Sequence, residues 1–208
     1  MAEPLIQSKF QGKKRLLTLE FWRNQFVAFA VFSMVGHWVE IPYCLFNLHV
    51  FGIVDPNSGV FSDPLEPFCV YGFAIIACNI LLVPVRQLLE EKFKNRKWIG
   101  VVLFFLLATI VAMDGELIQG FLQNMPDENG VYPLWDNSKL PFNVAGQAWL
   151  VNDVLLGLII TVYLWVIEPP MVNLMNTSTQ WKVEVVSAVI IIAFAILCLI
   201  KFVIFPVH

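Results

Sequence analysis

The stretch "WIGVVLFFLLATIVAMDGELIQGF", residues 98–121, decides the fold. It contains no Lys or Arg, and its two acids, Asp114 and Glu116, come late in the segment. About 20 mostly apolar residues are enough for a helix to cross a bilayer. Because lipid offers the backbone no hydrogen-bond partners, a spanning segment of this kind folds as a helix. Residues 98–121 are therefore predicted to be a transmembrane helix.

Four more segments have the same character, and they are residues 24–46, 67–88, 149–169 and 183–205. The chain has 208 residues, of which 58% are hydrophobic and 14% are charged. Soluble domains carry about 45–50% apolar and about 25% charged residues. The sequence therefore predicts an all-α integral membrane bundle of about five transmembrane helices, with residues 1–208 forming a single transmembrane domain.

Several classes of protein are excluded by composition. The net charge of −3 and the lack of a large basic block argue against nucleic-acid binding. Residues 1–20 are polar and basic, without the short apolar core of a secretory signal. No segment alternates as the strands of a membrane barrel do. The cysteines show no CxxC spacing, which argues against a metal finger, and they are Cys44, Cys69, Cys78 and Cys198.

Loop charges predict the orientation of the chain. The N-terminal tail and the loop after the second segment are basic, through Lys9, Lys13, Lys14, Arg15, Arg86, Lys92, Lys94, Arg96 and Lys97. The other two long loops are mainly acidic, through Asp55, Asp63, Glu66, Asp127, Glu128 and Asp136, against Lys139. The positive-inside rule then makes residues 1–20 a cytoplasmic tail and residues 122–148 an outer loop. Four tryptophans near predicted helix ends are expected to anchor at the interface, and they are Trp22, Trp98, Trp149 and Trp181.

The polar residues of the spans are predicted to lie at a similar depth. With a rise of 1.5 Å per residue, Glu40 lies about 9 Å from the outer end of its helix. The same rise places Asp114 and Glu116 about 8–10 Å, and Asn152 and Asp153 about 5–6 Å, from the outer ends of their helices. Lys201 falls about 6 Å from the outer end of the fifth helix, where it either neutralises an acid or snorkels to the interface. All of them are therefore expected in the outer half of the membrane.

Two spacing arguments refine this picture. Ser33, His37, Glu40 and Cys44 line one face of the first helix, which should turn toward other helices or water. Asp114 and Glu116 are about 200° apart around their helix, so only one of them is expected to face a shared site. Each charged group left at mid-membrane costs about 2.5–3.5 kcal/mol, so these groups should be paired, protonated or hydrated.

Three motifs carry a resemblance to a known family. "LWDNSKLPFNVAGQAWLVNDVLLG" resembles the W-D-Y-S-x-x-P-F-N-x-x-G signature of the CmpB-like "putative ABC-transporter type IV" family, small bacterial multi-pass proteins. "FSMVGHWVE" and "EPFCVYGFA" resemble that family's Y-S-x-x-G-W-x-x-E and P-x-x-P-I-Y-G elements. The matching residues are Trp135, Asp136, Asn137, Ser138, Pro141, Phe142, Asn143, Gly146, Ser33, Gly36, Glu40, Pro67, Tyr71 and Gly72.

The sequence departs from the family pattern at three places, and these departures bear on whether the chain shares the family's ligand. Asn137 stands where the family has Tyr, His37 stands where it has Trp, and the arginine-glycine lead-in to the third motif is missing. The resemblance implies a transporter of the bacterial cytoplasmic membrane without a defined substrate. Because the chain shows no GxxxxGK[ST] motif, any ATPase is expected to be a separate subunit.

We therefore expect a membrane transport or ligand-binding subunit with an outward-facing polar pocket, acting as a homo-oligomer or with a partner subunit. Its candidate ligand-binding residues are His37, Glu40, Tyr71, Asp114, Glu116, Trp135, Asp136, Asn143, Asn152, Asp153 and Lys201. Residues 133–143 would form a loop that dips back into the membrane or lies as a lid over that pocket, with Asp136 and Asn143 capping neighbouring helices, or simply a turn that fixes the third helix against the fourth.

Two other functions stay open at this point, and the sequence identifies no cofactor. A structural or regulatory subunit would use small residues such as Gly36 and Gly157 for helix packing. A membrane-embedded metal enzyme would use His37 and Glu40 with a further acid, although the HExxH motif of zinc enzymes is absent and an enzyme is the less expected outcome. A disulfide between Cys44 and Cys69 is a further alternative, if their Cα atoms lie within about 7 Å.

Overall fold

A computed structural model describes residues 18–54 and 58–205. The predicted cytoplasmic tail lies almost entirely outside these ranges, and so do Lys9, Lys13, Lys14, Arg15 and Asp55.

Five helices in the described residues are long and apolar enough to cross a membrane. They are α1 (Leu19–Phe51), α2 (Cys69–Lys92), α3 (Lys97–Gln123), α4 (Leu150–Thr177) and α5 (Gln180–Ile204). A two-residue antiparallel pairing joins β1 (Asn143–Val144) to β2 (Ala148–Trp149) directly before α4. Each helix overlaps one of the five predicted segments, so the predicted all-α membrane fold is confirmed.

The ends of α1 follow from capping chemistry. The Thr18 side chain accepts a hydrogen bond from the Phe21 N–H at 3.2 Å, as an N-cap does. Gly52 ends the helix with φ of 66°, a left-handed conformation that suits glycine, and its N–H donates to the Leu48 carbonyl. Pro42 lies inside α1 and Pro84 inside α2, which membrane helices tolerate better than soluble ones.

Two of the helices contain wider turns. Residues Tyr163–Ile167 of α4 and Leu199–Ile204 of α5 form π-helical turns. Such turns are rare and are frequently found at functional sites, because they change which carbonyls are free to accept a hydrogen bond. In α4 the carbonyl of Leu164 accepts a hydrogen bond from the Arg86 guanidinium.

The chain forms two compact units, and the division falls within α2, between Ile80 and Leu81. The terminal unit contains the described residues up to 80 together with 177–205. The central unit contains residues 81–176. Each unit is described below by itself.

In the terminal unit, α1 meets the start of α2 through two glycines. A Cβ on Gly36 would lie 2.3 Å from the Tyr71 ring, and a Cβ on Gly72 would lie 2.4 Å from the Ser33 hydroxyl. Distances this short leave no room for a larger residue. Small residues at such contacts let membrane helices approach closely, where van der Waals packing holds them together.

In the central unit, α3 and α4 pack in the same way. A Cβ on Gly157 of α4 would lie 2.3 Å from the Thr109 hydroxyl of α3. Phe104, Ala108 and Leu164 are fully buried at the centre of this unit. This packing fixes the register of α3 against α4 and so positions the polar groups near the connection between them.

The tryptophans divide in a way that the sequence did not predict. Trp22, Trp98 and Trp181 are 41%, 68% and 60% exposed, as side chains at a membrane interface would be. Trp149 is only 8% exposed, and its indole N–H donates to the Pro141 carbonyl at 3.0 Å. The prediction that Trp149 is an interfacial anchor is therefore wrong, because its ring packs within the loop before α4.

Candidate functional site

A cluster of polar groups lies where the C-terminal part of α3 meets the first turn of α4. The Glu116 carboxylate of α3 accepts a hydrogen bond from the side-chain amide of Asn152. It also accepts the backbone N–H of Trp149 at 3.4 Å, one of the N–H groups at the start of α4. The free N–H groups of a helix N-terminus favour a negative charge at this position.

Asp153 is the unusual member of this cluster. It is fully buried, and its carboxyl group interacts directly with that of Glu116. Yet neither oxygen of Asp153 has a partner of good hydrogen-bond geometry among residues 18–54 and 58–205. A buried, unpaired acid is costly, so a group of this kind needs a functional or chemical explanation.

The structure distinguishes the two acids of α3. Glu116 contacts the start of α4, whereas Asp114 lies on an exposed face of α3. The two acids therefore point in different directions, as their spacing predicts, whereas the assignment of one of them to a ligand site stays a prediction. The angle of about 100° per residue around a helix puts them on different faces.

The loop over this cluster is held by a pair of buried amides that the sequence analysis missed. Asn124, at the end of α3, donates to the Gln147 side chain at 2.9 Å and to the Trp135 carbonyl at 2.7 Å. Gln147 donates back to the Asn124 carbonyl at 2.8 Å. Both amides are almost completely buried, and Gln147 packs against Gly120 of α3. These hydrogen bonds hold both ends of residues 124–149 to the end of α3.

The residues of the tryptophan-aspartate motif bond to the loop itself. Asp136 accepts the Ser138 N–H at 2.8 Å, and Asn143 donates to the Leu140 carbonyl at 2.7 Å. The Trp135 indole donates to the Gln147 carbonyl at 2.9 Å. Hydrogen bonds from Ser138, first from its side chain and then from its backbone, hold the pKa of Asp136 below its ordinary value.

The expectation that Asp136 and Asn143 cap helices is therefore wrong. Trp149 is the N-cap residue of α4 and provides no side-chain cap. The side chains of Asp136 and Asn143 form hydrogen bonds within turns of the loop, which is the usual role of Asp and Asn in such segments. The motif's glycine has a clear steric role. Gly146 has φ of 70°, and a Cβ there would lie 2.4 Å from the Tyr132 hydroxyl, so a larger residue would not fit.

A second polar cluster, in the terminal unit, surrounds His37 of α1. His37 is fully buried, and its Nδ1 and Nε2 lie 2.8 Å and 2.9 Å from the carbonyl oxygens of Glu66 and Val60. The imidazole stacks on Phe68 with ring centroids 3.7 Å apart and planes 5° apart. His37 thus attaches the segment before α2 to α1.

The predicted stripe on α1 faces this segment and α2. Ser33 is fully buried, whereas Glu40 and Cys44 are half-buried. The Tyr71 hydroxyl donates a hydrogen bond to the Glu40 carboxylate. The structure therefore brings His37, Glu40 and Tyr71 together within the terminal unit, as it brings Glu116, Asn152 and Asp153 together in the central unit. A single pocket that joins the two sets stays a prediction.

Lys201 of α5 pairs with a loop residue and not with an acid of the spans. Its ammonium group forms an ion pair with Asp63, in the segment between α1 and α2. The hydrogen bond from Lys201 lowers the pKa of Asp63, and the backbone N–H of Leu65 lowers it further. Lys201 is thus a countercharge. Its partner is the loop residue Asp63, whereas the sequence suggested an acid of the membrane spans.

A buried ion pair in the central unit was missed entirely. Arg86 of α2 and Glu168 of α4 lie 2.9 Å apart, and each side chain is 8% exposed. Loop charges predict Arg86 to lie in a cytoplasmic loop, whereas it lies inside α2. The signal was present in "VIEPP", since Glu168 is an isolated acid in a long apolar helix and such a residue needs a partner.

The structure gives no support to a metal site at His37 and Glu40. Both nitrogens of His37 are occupied by carbonyl oxygens, so no lone pair is directed at a shared ligand. Across residues 18–54 and 58–205, no group of three or more His, Cys, Asp or Glu side chains is arranged to hold a metal ion. All four cysteines are free thiols, and Cys69 lies beside Ser33 and Cys198 instead of pairing with Cys44.

Comparison with known proteins bears on the chain as a whole. The family model described as "Putative ABC-transporter type IV" matches residues 27–202, which include all five helices in whole or in part. This match agrees with the resemblance carried by the three sequence motifs. No curated protein and no solved structure matches the chain.

Proposed function

The chain belongs to the "Putative ABC-transporter type IV" family, and on that premise we propose that it is the membrane-embedded subunit of a transport system in a bacterial cytoplasmic membrane. Its five spans would provide the path through the bilayer. The sequence as given carries no nucleotide-binding motif of the GxxxxGK[ST] type, so ATP hydrolysis would be the task of a partner subunit.

The observation that carries this proposal is the carboxyl pair of the central unit. Ionisable groups inside membrane spans are expensive, and they commonly mark the path of a substrate or ion. Glu116 and Asp153 form such a pair at a helix N-terminus, and the ordered loop of residues 124–149 leads directly into it. We assign the ligand site of the subunit to Glu116, Asn152 and Asp153.

The proposed orientation places the N-terminus in the cytoplasm and residues 124–149 outside. The support is the charge of the loops, since the connection between α2 and α3 is basic whereas residues 124–149 contain a single Lys among several acids. Single cysteines at Asn95 and Asn129, both exposed positions, test it. In intact cells a membrane-impermeant thiol reagent should label Asn129→Cys and not Asn95→Cys, and the reverse pattern would invert the assignment.

The function itself is tested by isolating the tagged full-length chain from its native membrane in mild detergent and measuring ATP hydrolysis. We expect ATPase activity to co-purify with the chain and to fall at least tenfold in Asp153→Asn. Asp114→Asn is the matched control, because it makes the same chemical change on an exposed face of α3. A preparation without ATPase activity would refute the transport assignment, and equal activity in both variants would refute the assigned site.

A further inference from the structure

We propose that the Glu116–Asp153 pair is a proton-binding site, so that the subunit takes up and releases one proton at the junction of α3 and α4. The inference rests on the proposed function for its choice of site, and it names the ligand of that site. The chemical argument, however, depends only on the groups that surround the two acids.

The two acids cannot both be charged. Their carboxyl groups interact directly, and Asp153 is fully buried. Two like charges this close repel strongly where little water screens them. Pairs of neighbouring carboxyl groups in other proteins resolve this conflict by sharing one proton.

No cation relieves the pair in the part of the chain that the structure describes. Glu116 comes from α3, Asp153 and Asn152 come from α4, and the loop contributes the Trp149 N–H. None of the ion pairs between described residues includes either acid. Lys139, the one Lys or Arg of residues 124–149, interacts with Asp136 instead.

The hydrogen-bond donors favour one arrangement of that proton. Glu116 receives two donors, from Asn152 and from the Trp149 N–H, which stabilise a carboxylate. Asp153 receives none of good geometry among the described residues, and its burial disfavours a charge. The proton therefore belongs on Asp153, beside the Glu116 carboxylate. Binding converts one carboxylate and one proton from water into a carboxylic acid, and release reverses this step.

A proton fits this site better than a metal ion does. Calcium takes six to eight oxygen ligands and magnesium about six. Here two carboxyl groups and one amide face each other, and no set of three or more acids, His or Cys that could hold a metal ion is found in residues 18–54 and 58–205. A proton requires only the pair.

Infrared spectroscopy of the purified full-length chain in detergent tests the proposal without any transport assay. At neutral pH the wild type should show the C=O stretch of a buried carboxylic acid, which shifts in D₂O and disappears as the pH rises. Asp153→Asn should lack this band, and Asp114→Asn should keep it. Size-exclusion chromatography and thermal melting establish that each variant is folded.

A second measurement covers the case in which Asp153→Asn fails to fold. Potentiometric titration of the Glu116→Gln/Asp153→Asn double variant should find one proton fewer bound per chain at neutral pH than in the wild type. A wild type without the band, or a band that survives in Asp153→Asn and in the double variant, would overturn the proposal. Because neither readout involves ATP or a partner, a proton site confirmed here could still stand if the transport assignment fails.

Discussion

His37 in the terminal unit and Asp153 in the central unit are both fully buried, ionisable and part of a membrane-spanning helix. They differ in their partners. The two ring nitrogens of His37 lie 2.8 Å and 2.9 Å from carbonyl oxygens, whereas the oxygens of Asp153 have no partner of good geometry among the described residues. Burial alone therefore does not identify a functional group. A buried polar group left without partners is the better candidate, because its cost needs an explanation that a fully hydrogen-bonded group does not need.

The contacts of His37 indicate that it is a structural anchor. Each ring nitrogen lies within hydrogen-bond distance of a backbone carbonyl in the segment before α2. The ring also stacks on Phe68, which lies next to the same segment. The ring thus holds residues 60–66 against α1, and every polar atom it offers is used in doing so.

The largest effect is expected from a variant that leaves a second buried acid, Glu168, without its ion-pair partner. Arg86→Met would leave Glu168 buried without its guanidinium partner, and breaking a buried ion pair in this way costs about 3–5 kcal/mol. We expect a large fall in the melting temperature in detergent. The double variant Arg86→Met/Glu168→Met removes both charges and should recover most of the loss. A single variant as stable as the wild type would show that Glu168 tolerates isolation as Asp153 does.

The second test removes the anchor in the terminal unit. His37→Leu keeps the volume of the side chain but leaves the Val60 and Glu66 carbonyls without a donor, at about 1–3 kcal/mol for a buried carbonyl. We expect a loss of about 2–3 kcal/mol, because the Glu66 contact is only partly buried and water can replace part of it.

Trp38→Phe is the matched control for this test. It deletes a hydrogen bond of 2.7 Å from Trp38 to the Pro64 carbonyl, which attaches the same segment to α1 at an exposed position. An exposed bond should contribute no more than about 0.5–1.5 kcal/mol. Equal melting temperatures for His37→Leu and Trp38→Phe would mean that His37 is not an anchor.

The third variant should be more stable than the wild type at high pH, whereas the first two are expected to be less stable. Asp153→Asn replaces an acid by a neutral side chain of the same shape, and it removes the conflict with Glu116 that arises when the shared proton is released at high pH. Above the pH at which the wild type releases this proton, we expect the variant to melt at a higher temperature, by about 1–2 kcal/mol of stability, because only the wild type then carries two neighbouring buried negative charges. Asp114→Asn should stay within about 0.5 kcal/mol of the wild type. A destabilised Asp153→Asn would indicate that the acid has a structural partner.

The sequence was sufficient for the spans and for part of the central cluster. Apolar length fixes the five helices, because only helices satisfy the backbone in lipid. The rise per residue placed Glu116, Asn152 and Asp153 near the same helix ends, and they do meet. The angle between Asp114 and Glu116 correctly required that one of them face elsewhere.

The remaining contacts depend on tertiary packing that a one-dimensional pattern does not contain. A hydropathy window ends α2 near Arg86, so the window could not show that Arg86 reaches across to Glu168 and the Leu164 carbonyl. Trp149 looked like an interfacial residue because of its position at a helix start, whereas the loop folds back over it. The roles of Asn124 and Gln147 depend on a contact between residues at opposite ends of the loop. The local spacing of these residues in the sequence does not indicate this contact.

The smallest effect concerns the ion pair of Lys201 with Asp63, which is partly exposed to solvent. Because the pKa of Asp63 is lowered in the folded protein, the pair stabilises the fold above the ordinary value of about 4. This stabilisation is lost as the pH falls through the lower folded-state pKa. Between pH 5 and pH 3 the melting temperature of Asp63→Asn should therefore fall less than that of the wild type, whereas Glu128→Gln, at an exposed loop position, should follow the wild type. Parallel curves for Asp63→Asn and the wild type would show that this pair adds nothing to stability, and His37 would then carry the attachment of the α1–α2 segment without help from Lys201.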